Sequence, residues 1–563
     1  MKRVLLLVLV SFLSISWAVA QAPKWMKKTR KAVFSIVTYN DNDEILQTGN
    51  GFFVDSKGVG VSKYTLFENA HRAVVIDTDG KSMNVESIMG VDDMYDVIKF
   101  KVDIPKSVEA LIPAVGVPKE GETVYLLGYA SQQKEESEVG KVKEVSKVGN
   151  YNYYTLNLPL KEKMISCPVM NEKGEVLGLS QEAVGNENFI SYAVDVNYII
   201  NQSISALSFN DLSLKKIGIK KALPEKVDDA LIFLYLASSQ VQGEEYLNLL
   251  SDFIASFPQH TEGYVRRANY VAFQGANANM KEVENDMNKA LSVAENKDEV
   301  YYNYALLIYN YALTKIDDIP SGWSFSDAEN IINKGLAIKN LPVYKQLKGD
   351  IKFAMTNYSD AFNLYQEVNQ SDMASPASFY SAAKAKELMG ADAKEILVLL
   401  DSCVSRLPEH VSETEATYFL ERAQLLSSME EYRKAMTDYD SFYNATGGKV
   451  NDVFYYLRGQ VARDSKLFQK ALDDFSEALL LNPNEVIYHI ELGATNIRVG
   501  RNEDAQQNFL NAIKLNPEYS EAYRLLGVAQ MQMKNKSEAC KNFHKAKELN
   551  DTLADDLIKR YCE

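Results

Sequence analysis

The side chains that could carry covalent chemistry in the first two hundred residues are few. Ser166 and Cys167 are adjacent hydroxyl and thiol groups, His71 is the only histidine before His260, and Asp96 is a carboxylate in the stretch Asp92-Asp93-Met94-Tyr95-Asp96. A serine or cysteine attacks a carbonyl carbon efficiently only when an imidazole takes its proton and returns it to the leaving group, with a carboxylate orienting the ring. A Cys167–His71 pair is one arrangement these residues allow. The simpler reading makes Cys167 a small buried hydrophobe beside Pro168, and places His71 in a surface loop after Glu68-Asn69-Ala70. Asp96 by itself reads as a turn-forming residue.

Metal and cofactor chemistry find little support. The cysteines, Cys167, Cys403, Cys540 and Cys562, include no C-x-x-C pair, and no phosphate-binding loop or paired-carboxylate constellation stands out, so neither metal nor cofactor is implied. Cys540 and Cys562 are the only pair close in sequence and are a disulfide candidate in an oxidising compartment. Such a compartment is what the N-terminus predicts. Lys2 and Arg3 precede an apolar run from Val4 to Trp17 and then Ala18-Val19-Ala20, the pattern of a secretory signal over residues 1–20 cleaved after Ala20. That run is short for a transmembrane helix, no cysteine follows the cleavage site, and no later stretch reaches eighteen apolar residues, so the expected product is exported, in the periplasm or secreted, without a membrane span. Loss of Lys2 and Arg3 takes the formal charge from −15 to −17, with 59 basic residues facing 76 acidic ones. Nucleic acid and anionic membranes are therefore poor partners.

With 563 residues, 46% hydrophobic and 24% charged, the chain has room for two or three domains, and its patterning changes near residue 200. Before that point, alternating runs such as Val33 to Tyr39, Val97 to Val102, Thr123 to Tyr129 and Tyr153 to Leu158 are separated by turn clusters. Three segments lie in the order of a known family: Gly51-Phe52-Phe53-Val54-Asp55-Ser56-Lys57-Gly58 with Val61 to Phe67; Asp92 to Phe100; and Lys163-Met164-Ile165-Ser166-Cys167-Pro168-Val169-Met170-Asn171 with Gly174 to Leu179. Together they resemble serine peptidases of the chymotrypsin fold, most like the HtrA-type stress peptidases. The resemblance implies an all-β double barrel over residues 31–200. It puts Thr65 at the histidine position, Asp96 at the triad carboxylate and, counting back from Pro168, Ile165 at the serine. Lys163, Ser166 and Cys167 replace glycines of the turn that aims the oxyanion-binding N–H groups. A triad reduced to its aspartate implies an inactive peptidase.

Residues 201–226, with Lys215-Lys216 and Lys220-Lys221 before Pro224, read as a linker, with folding onto either neighbour as the open alternative. Beyond it the period is helical. Gly459, Gly493 and Gly527 are 34 residues apart, as are Ala471, Ala505 and Ala539, then Phe475, Phe509 and Phe543, then Ala478, Ala512 and Ala546; Asn482-Pro483 and Asn516-Pro517 close two units. This resembles the tetratricopeptide (TPR) repeat, in which small residues let the two helices of a unit approach and the aromatic fills the gap. Weaker copies at Ala423, Ala435 and Tyr439 and at Gly349, Ala361 and Tyr365 extend the array to about eight units over 227–550, with an insertion around Ile319 to Trp323 and a capping helix over 551–563. The resemblance implies an all-α solenoid with a groove for a protein or peptide partner, lined by Tyr456, Gln460, Arg463, Ile490, Ala494, Arg524 and Val528. The expected function is an exported binding scaffold; the alternative is a trypsin-like endopeptidase whose repeats hold substrate or partner.

Overall fold

In the computed structural model, residues 23–130, 136–183, 189–274, 278–314, 320 and 322–563 are described. The expected secretory signal over residues 1–20 lies outside them, as do Ile319 and Ser321 of the expected insertion. The chain divides into two compact units that meet at Val271 and Ala272.

In the first unit, strands β1 (Val33–Tyr39), β2 (Ile45–Asp55), β3 (Val59–Ser62), β4 (Arg72–Ile76), β5 (Ser82–Asp92) and β6 (Val97–Val102) close a barrel in the order β1-β2-β3-β6-β5-β4. Strands β7 (Thr123–Leu127), β8 (Ser137–Val148), β9 (Tyr151–Asn157), β10 (Pro168–Met170), β11 (Val176–Gln181) and β12 (Ser191–Asp195) close a second, β10-β11-β12-β9-β8-β7. Period-two alternation decides what each face does. Phe34, Ile36, Phe53 and Phe100 fill the first barrel. Their neighbours Val33, Phe52, Val61 and Val97 turn outward and share a cluster with Leu127, Met170, Leu179 and Val194 of the second barrel. A two-barrel body is thus built from both faces of the same strands.

The stretch expected to be a linker is part of this body. Ile204, Leu214, Ile217 and Ile219 are buried in the first barrel's cluster, and the Ile88 N–H and carbonyl bond the Lys220 carbonyl and Ala222 N–H. Helices follow at Val227–Ser238 and Gly243–Ser256, and Phe233 of the first of these joins the same cluster.

Among the described residues the regular elements of the second unit are all helices, ending in seven helix hairpins between Lys297 and Glu548 and a short helix, Ala554–Tyr561. A single geometric device recurs. A Cβ on Gly459, Gly493 or Gly527 would stand 2.7, 2.6 or 2.5 Å from the ring of Phe475, Phe509 or Phe543, sixteen residues on. Each aromatic is seated in a notch that only a missing side chain leaves open. Gly349 receives Tyr365 in the same way, at 2.6 Å. One residue earlier at both ends, Arg458 forms a bidentate pair with Asp474 at 3.0 and 2.7 Å, and Arg422 pairs with Asp438 at 2.7 Å through both Nε and Nη2. Trp323, at the edge of the expected insertion, is buried against Tyr311 with ring centroids 5.2 Å apart. Cys540 and Cys562 are joined in a disulfide, S–S 2.02 Å, and Ile558 of the last helix packs on Phe543.

Asp350, half-buried in the repeat region, is held by neutral donors. Asp350 Oδ1 accepts from Tyr365 Oη at 2.9 Å and Gln346 Nε2 at 3.0 Å, and burial pushes its carboxyl up to about 6.

Two predictions follow from this packing. Gly493→Ala gains about 1 kcal/mol of helix propensity yet loses about 1–3 kcal/mol by overpacking against Phe509, so its urea midpoint falls below wild type; an unchanged or higher midpoint contradicts the notch. A carboxyl with a raised folded-state pKa binds protons more tightly when folded, so its penalty is absent near pH 4 and grows as pH rises through 6. Asp350→Asn keeps the acceptor and removes the charge. It should stabilise by about 1–3 kcal/mol at pH 7.5, with the gain fading toward pH 4 in parallel urea titrations.

Candidate functional site

The barrel cleft is assembled from three turns. Tyr64–Leu66 is a single 3-10 turn after β3, and it presents Thr65 to the turn between β5 and β6. There Asp96, at φ 49°, accepts from the Thr65 N–H at 2.7 Å and from Thr65 Oγ1 at 3.1 Å. Ile165 lines the same cleft as Asp96, a hollow of about 430 Å³ that also includes Tyr95, Tyr153, Ser166 and Gln181. The structure therefore brings together all three positions that the sequence put at the triad, and both oxygens of the carboxylate are held by the residue at the histidine position. Threonine can hold the carboxylate but has no ring nitrogen with which to take a proton.

The turn from Lys161 to Pro168 is closed on itself. The Met164 N–H donates to the Lys161 carbonyl at 2.8 Å and the Ile165 N–H to the Glu162 carbonyl at 3.3 Å. The Ser166 N–H donates to the Ser180 carbonyl at 3.0 Å, and the Cys167 N–H to Ser180 Oγ at 3.0 Å. Four consecutive N–H groups are thereby engaged inside the protein. The carbonyls are tied as well: Asn50 Nδ2 donates to those of Lys163 and Ile165 at 3.0 and 3.1 Å, and Ser180 Oγ to that of Met164 at 2.9 Å. Oxyanion stabilisation requires N–H donors aimed at the reacting oxygen.

Neither alternative nucleophile is activated. Ser166, at φ 63°, is 1% exposed, and its hydroxyl has no hydrogen-bond partner, hence no base. Cys167 is fully buried in the second barrel, where burial pushes its thiol up to about 12. His71 is exposed beside the first barrel, against Gly218 of the segment that follows the barrels. The rest of the lining combines the charged Lys63 and Glu182 and the apolar Met94 and Val148 with neutral polar groups: Tyr153 Oη donates to Gln181 Oε1 at 3.2 Å, Gln181 Nε2 to the Tyr95 carbonyl at 2.6 Å, and burial raises the Tyr153 phenol so that it stays protonated.

Of the residues expected in the repeat groove, three form one network. Gln460 Nε2 donates to Tyr456 Oη at 2.9 Å and to Glu491 Oε1 at 3.1 Å, and Arg463 pairs with the same Glu491 carboxylate. The Tyr456 ring lies 5.1 Å from that of Tyr488. Arg524 is tethered to Asp551 at 2.8 Å and Glu521 at 2.7 Å. Ile490 is 4% exposed and packs in the core with Phe509 and Leu526, so its side chain offers no groove surface. Val528 is partly buried against the terminal cluster, and Ala494 is half-buried. Glu491 and Tyr488, which organise the network, carry no repeat signal in sequence. Among the described residues no group of three or more His, Cys, Asp or Glu is placed to hold a metal ion, and no helix is long and apolar enough to cross a membrane.

Residues 49–179 match the family model of the trypsin-like peptidase domain. That span runs from β2 into β11 and contains Asn50, Thr65, Asp96 and the turn from Lys161 to Pro168, while Ser180 and Gln181, at the end of β11, lie just beyond it. A curated relative, the TPR repeat-containing protein MJ1428 of Methanocaldococcus jannaschii, is 21% identical over 204 residues. The match covers 35% of this chain and 33% of that protein, so the chain spans about a third of the relative's length. The protein thus carries a peptidase-like domain joined in one chain to a helical repeat region.

The Asn50 amide is the pin of the closed turn. Asn50→Ala, which leaves two carbonyls without a donor, should destabilise by about 1–3 kcal/mol. Asn50→Asp, which faces those carbonyls with a carboxylate, should cost at least as much at pH 7. Wild-type stability in the aspartate variant, by chemical denaturation, would show that the turn does not depend on this pin.

Proposed function

We propose that the protein is an exported scaffold that binds a protein or peptide partner and does not hydrolyse it. The observation that carries this reading is the Thr65–Asp96 pair: the carboxylate that would orient a catalytic imidazole is held instead by a backbone N–H and a hydroxyl. Ile165 supplies no nucleophile, and loss of a single triad member already costs about 10⁴ to 10⁶ in turnover. The engaged N–H groups from Met164 to Cys167 remove the second contribution that hydrolysis draws on. What remains is a cleft walled by the hydrogen-bonding groups of Tyr153 and Gln181 together with Lys63 and Glu182, suited to holding a chain without attacking it.

Partner binding is assigned to the repeat region. Solenoids of stacked helix hairpins offer an extended surface whose side chains are held by neighbouring units, and the Tyr456–Gln460–Arg463–Glu491 network is a preorganised polar patch of this kind. Export is supported by the charged start, apolar run and Ala18-Val19-Ala20 of the sequence, and the Cys540–Cys562 disulfide fits an oxidising compartment. The domain reading that accompanies this function is a signal over 1–20, a peptidase-like domain over 31–200, repeats over 227–550 and a capping helix over 551–563.

Two measurements check the reading. Sequencing the native N-terminus should give Gln21 first, from protein recovered outside the cytoplasm; retained Met1 in a cytosolic pool contradicts export. The purified protein should leave casein intact, and Thr65→His combined with Ile165→Ser should still fail to produce a proficient peptidase, because the turn's N–H groups remain engaged. Casein cleavage by the wild type that disappears in Asp96→Ala establishes the peptidase reading instead.

A further inference from the structure

Away from the barrel cleft, the segment that seals the first barrel and the helix Gly243–Ser256 enclose a cavity of about 470 Å³. Its size falls within the roughly 300–1,000 Å³ range of small-molecule sites. The floor is apolar, built from Phe209, Leu214, Ile219, Phe233, Val241 and Leu249, and two of these, Phe209 and Phe233, meet edge to face at 5.3 Å. The lining also contains charge. Three lysines, Lys215, Lys220 and Lys221, line it against two carboxylates, Glu245 and Asp252, in a chain whose total charge is −15.

The lysines are not equivalent. Lys220 is neutralised by Asp252 at 2.7 Å, and exposed Lys215 reaches Asn210 at 3.4 Å. Lys221 is half-buried, and its backbone is fixed: Lys221 bridges Ile88 of β5 as a parallel partner, and the peptide groups on either side bond the same residue. Its ammonium donates to the Ile217 carbonyl, which uses one of three N–H donors. Burial lowers its pKa, with Glu245 opposing that shift, so the charge is under-solvated where it stands. An incoming anion would relieve this, whereas a cation or a neutral head group would not.

We propose that this cavity binds a single apolar monocarboxylate, its tail among Phe209, Leu214, Ile219, Phe233, Val241 and Leu249 and its carboxylate on Lys221 Nζ. The carboxylate belongs to a free medium-chain acid or to the C-terminal residue of a peptide, and the test separates these sources. Calorimetric titration of the full chain with decanoate, decanol and decylamine, each below its micellar concentration, should show one site for decanoate with at least about tenfold preference over decanol, the size of one charge-assisted hydrogen bond, and no binding of decylamine. Lys221→Met should reduce decanoate to the decanol level, and Leu249→Trp, which fills the cavity, should weaken both. A leucine-terminated peptide compared with its C-terminal amide reads the second source: a tenfold carboxylate preference lost in Lys221→Met assigns the site to chain termini. If Lys221→Met does not fold, Lys221→Gln and the head-group series in wild type decide the matter. Equal affinity for decanoate and decanol together with no preference for the peptide acid, an unchanged carboxylate affinity in a folded Lys221 variant, or no binding of any probe overturns the proposal.

Discussion

The character of the first unit depends on how the turn from Lys161 to Pro168 satisfies its own peptide groups. In a low-dielectric cleft an unpaired N–H is expensive, and a serine peptidase keeps two such donors available because the developing oxyanion will need them. Here four consecutive donors are absorbed, Met164 and Ile165 by the turn itself and Ser166 and Cys167 by Ser180, and the Ile165 N–H at the serine position is among them. Asn50 and Ser180 then hold the carbonyls of residues 163 to 165, so the closed form is supported from two strands, β2 and β11. Thr65 and Asp96 complete the same pattern on the opposite wall. Peptide groups that already have partners inside the protein are not free to stabilise an oxyanion.

The repeat region rests on a different constraint, steric rather than polar. A glycine on the first helix of a hairpin accepts the ring of an aromatic sixteen residues later, and an arginine–aspartate pair one step earlier, buried at Arg458 and half-buried at Arg422, repeats the crossing. Each ring fixes the separation of two helices, and side chains that project from them, such as Tyr456, Gln460 and Arg463, are then held in place by Glu491 and Tyr488. Breaking a buried pair by removing one partner is strongly destabilising, so these arginines are poor candidates for ligand contact even though arginine is common at interfaces.

Much of this was legible in the sequence, for identifiable reasons. The period of 34 is visible because close helix approach demands the smallest residues at fixed places, and the barrel strands are visible because alternating burial demands alternating polarity. Thr65, Asp96 and Ile165 could be read as neighbours because the strand motifs that flank them keep their order and spacing. What escaped is long-range and polar. Asn50 reaches Lys163 across 113 residues, and nothing in its local sequence, Gly49-Asn50-Gly51, marks it as a pin. Ile490 carries the spacing of a groove residue but is drawn into the core by Phe509. The segment over 201–226 looks like a linker because its apolar residues, Ile204, Leu214, Ile217 and Ile219, are too irregularly spaced to show a period, although each is buried.

The most direct test of the central claim is the reactivity of the cleft itself. The purified wild-type protein, incubated with a fluorophosphonate that phosphonylates activated serines, should retain its unmodified intact mass, because Ser166 has neither base nor exposure and Ile165 has no nucleophile. A single stoichiometric adduct mapped to Ser166, and abolished by Asp96→Ala, would contradict the account.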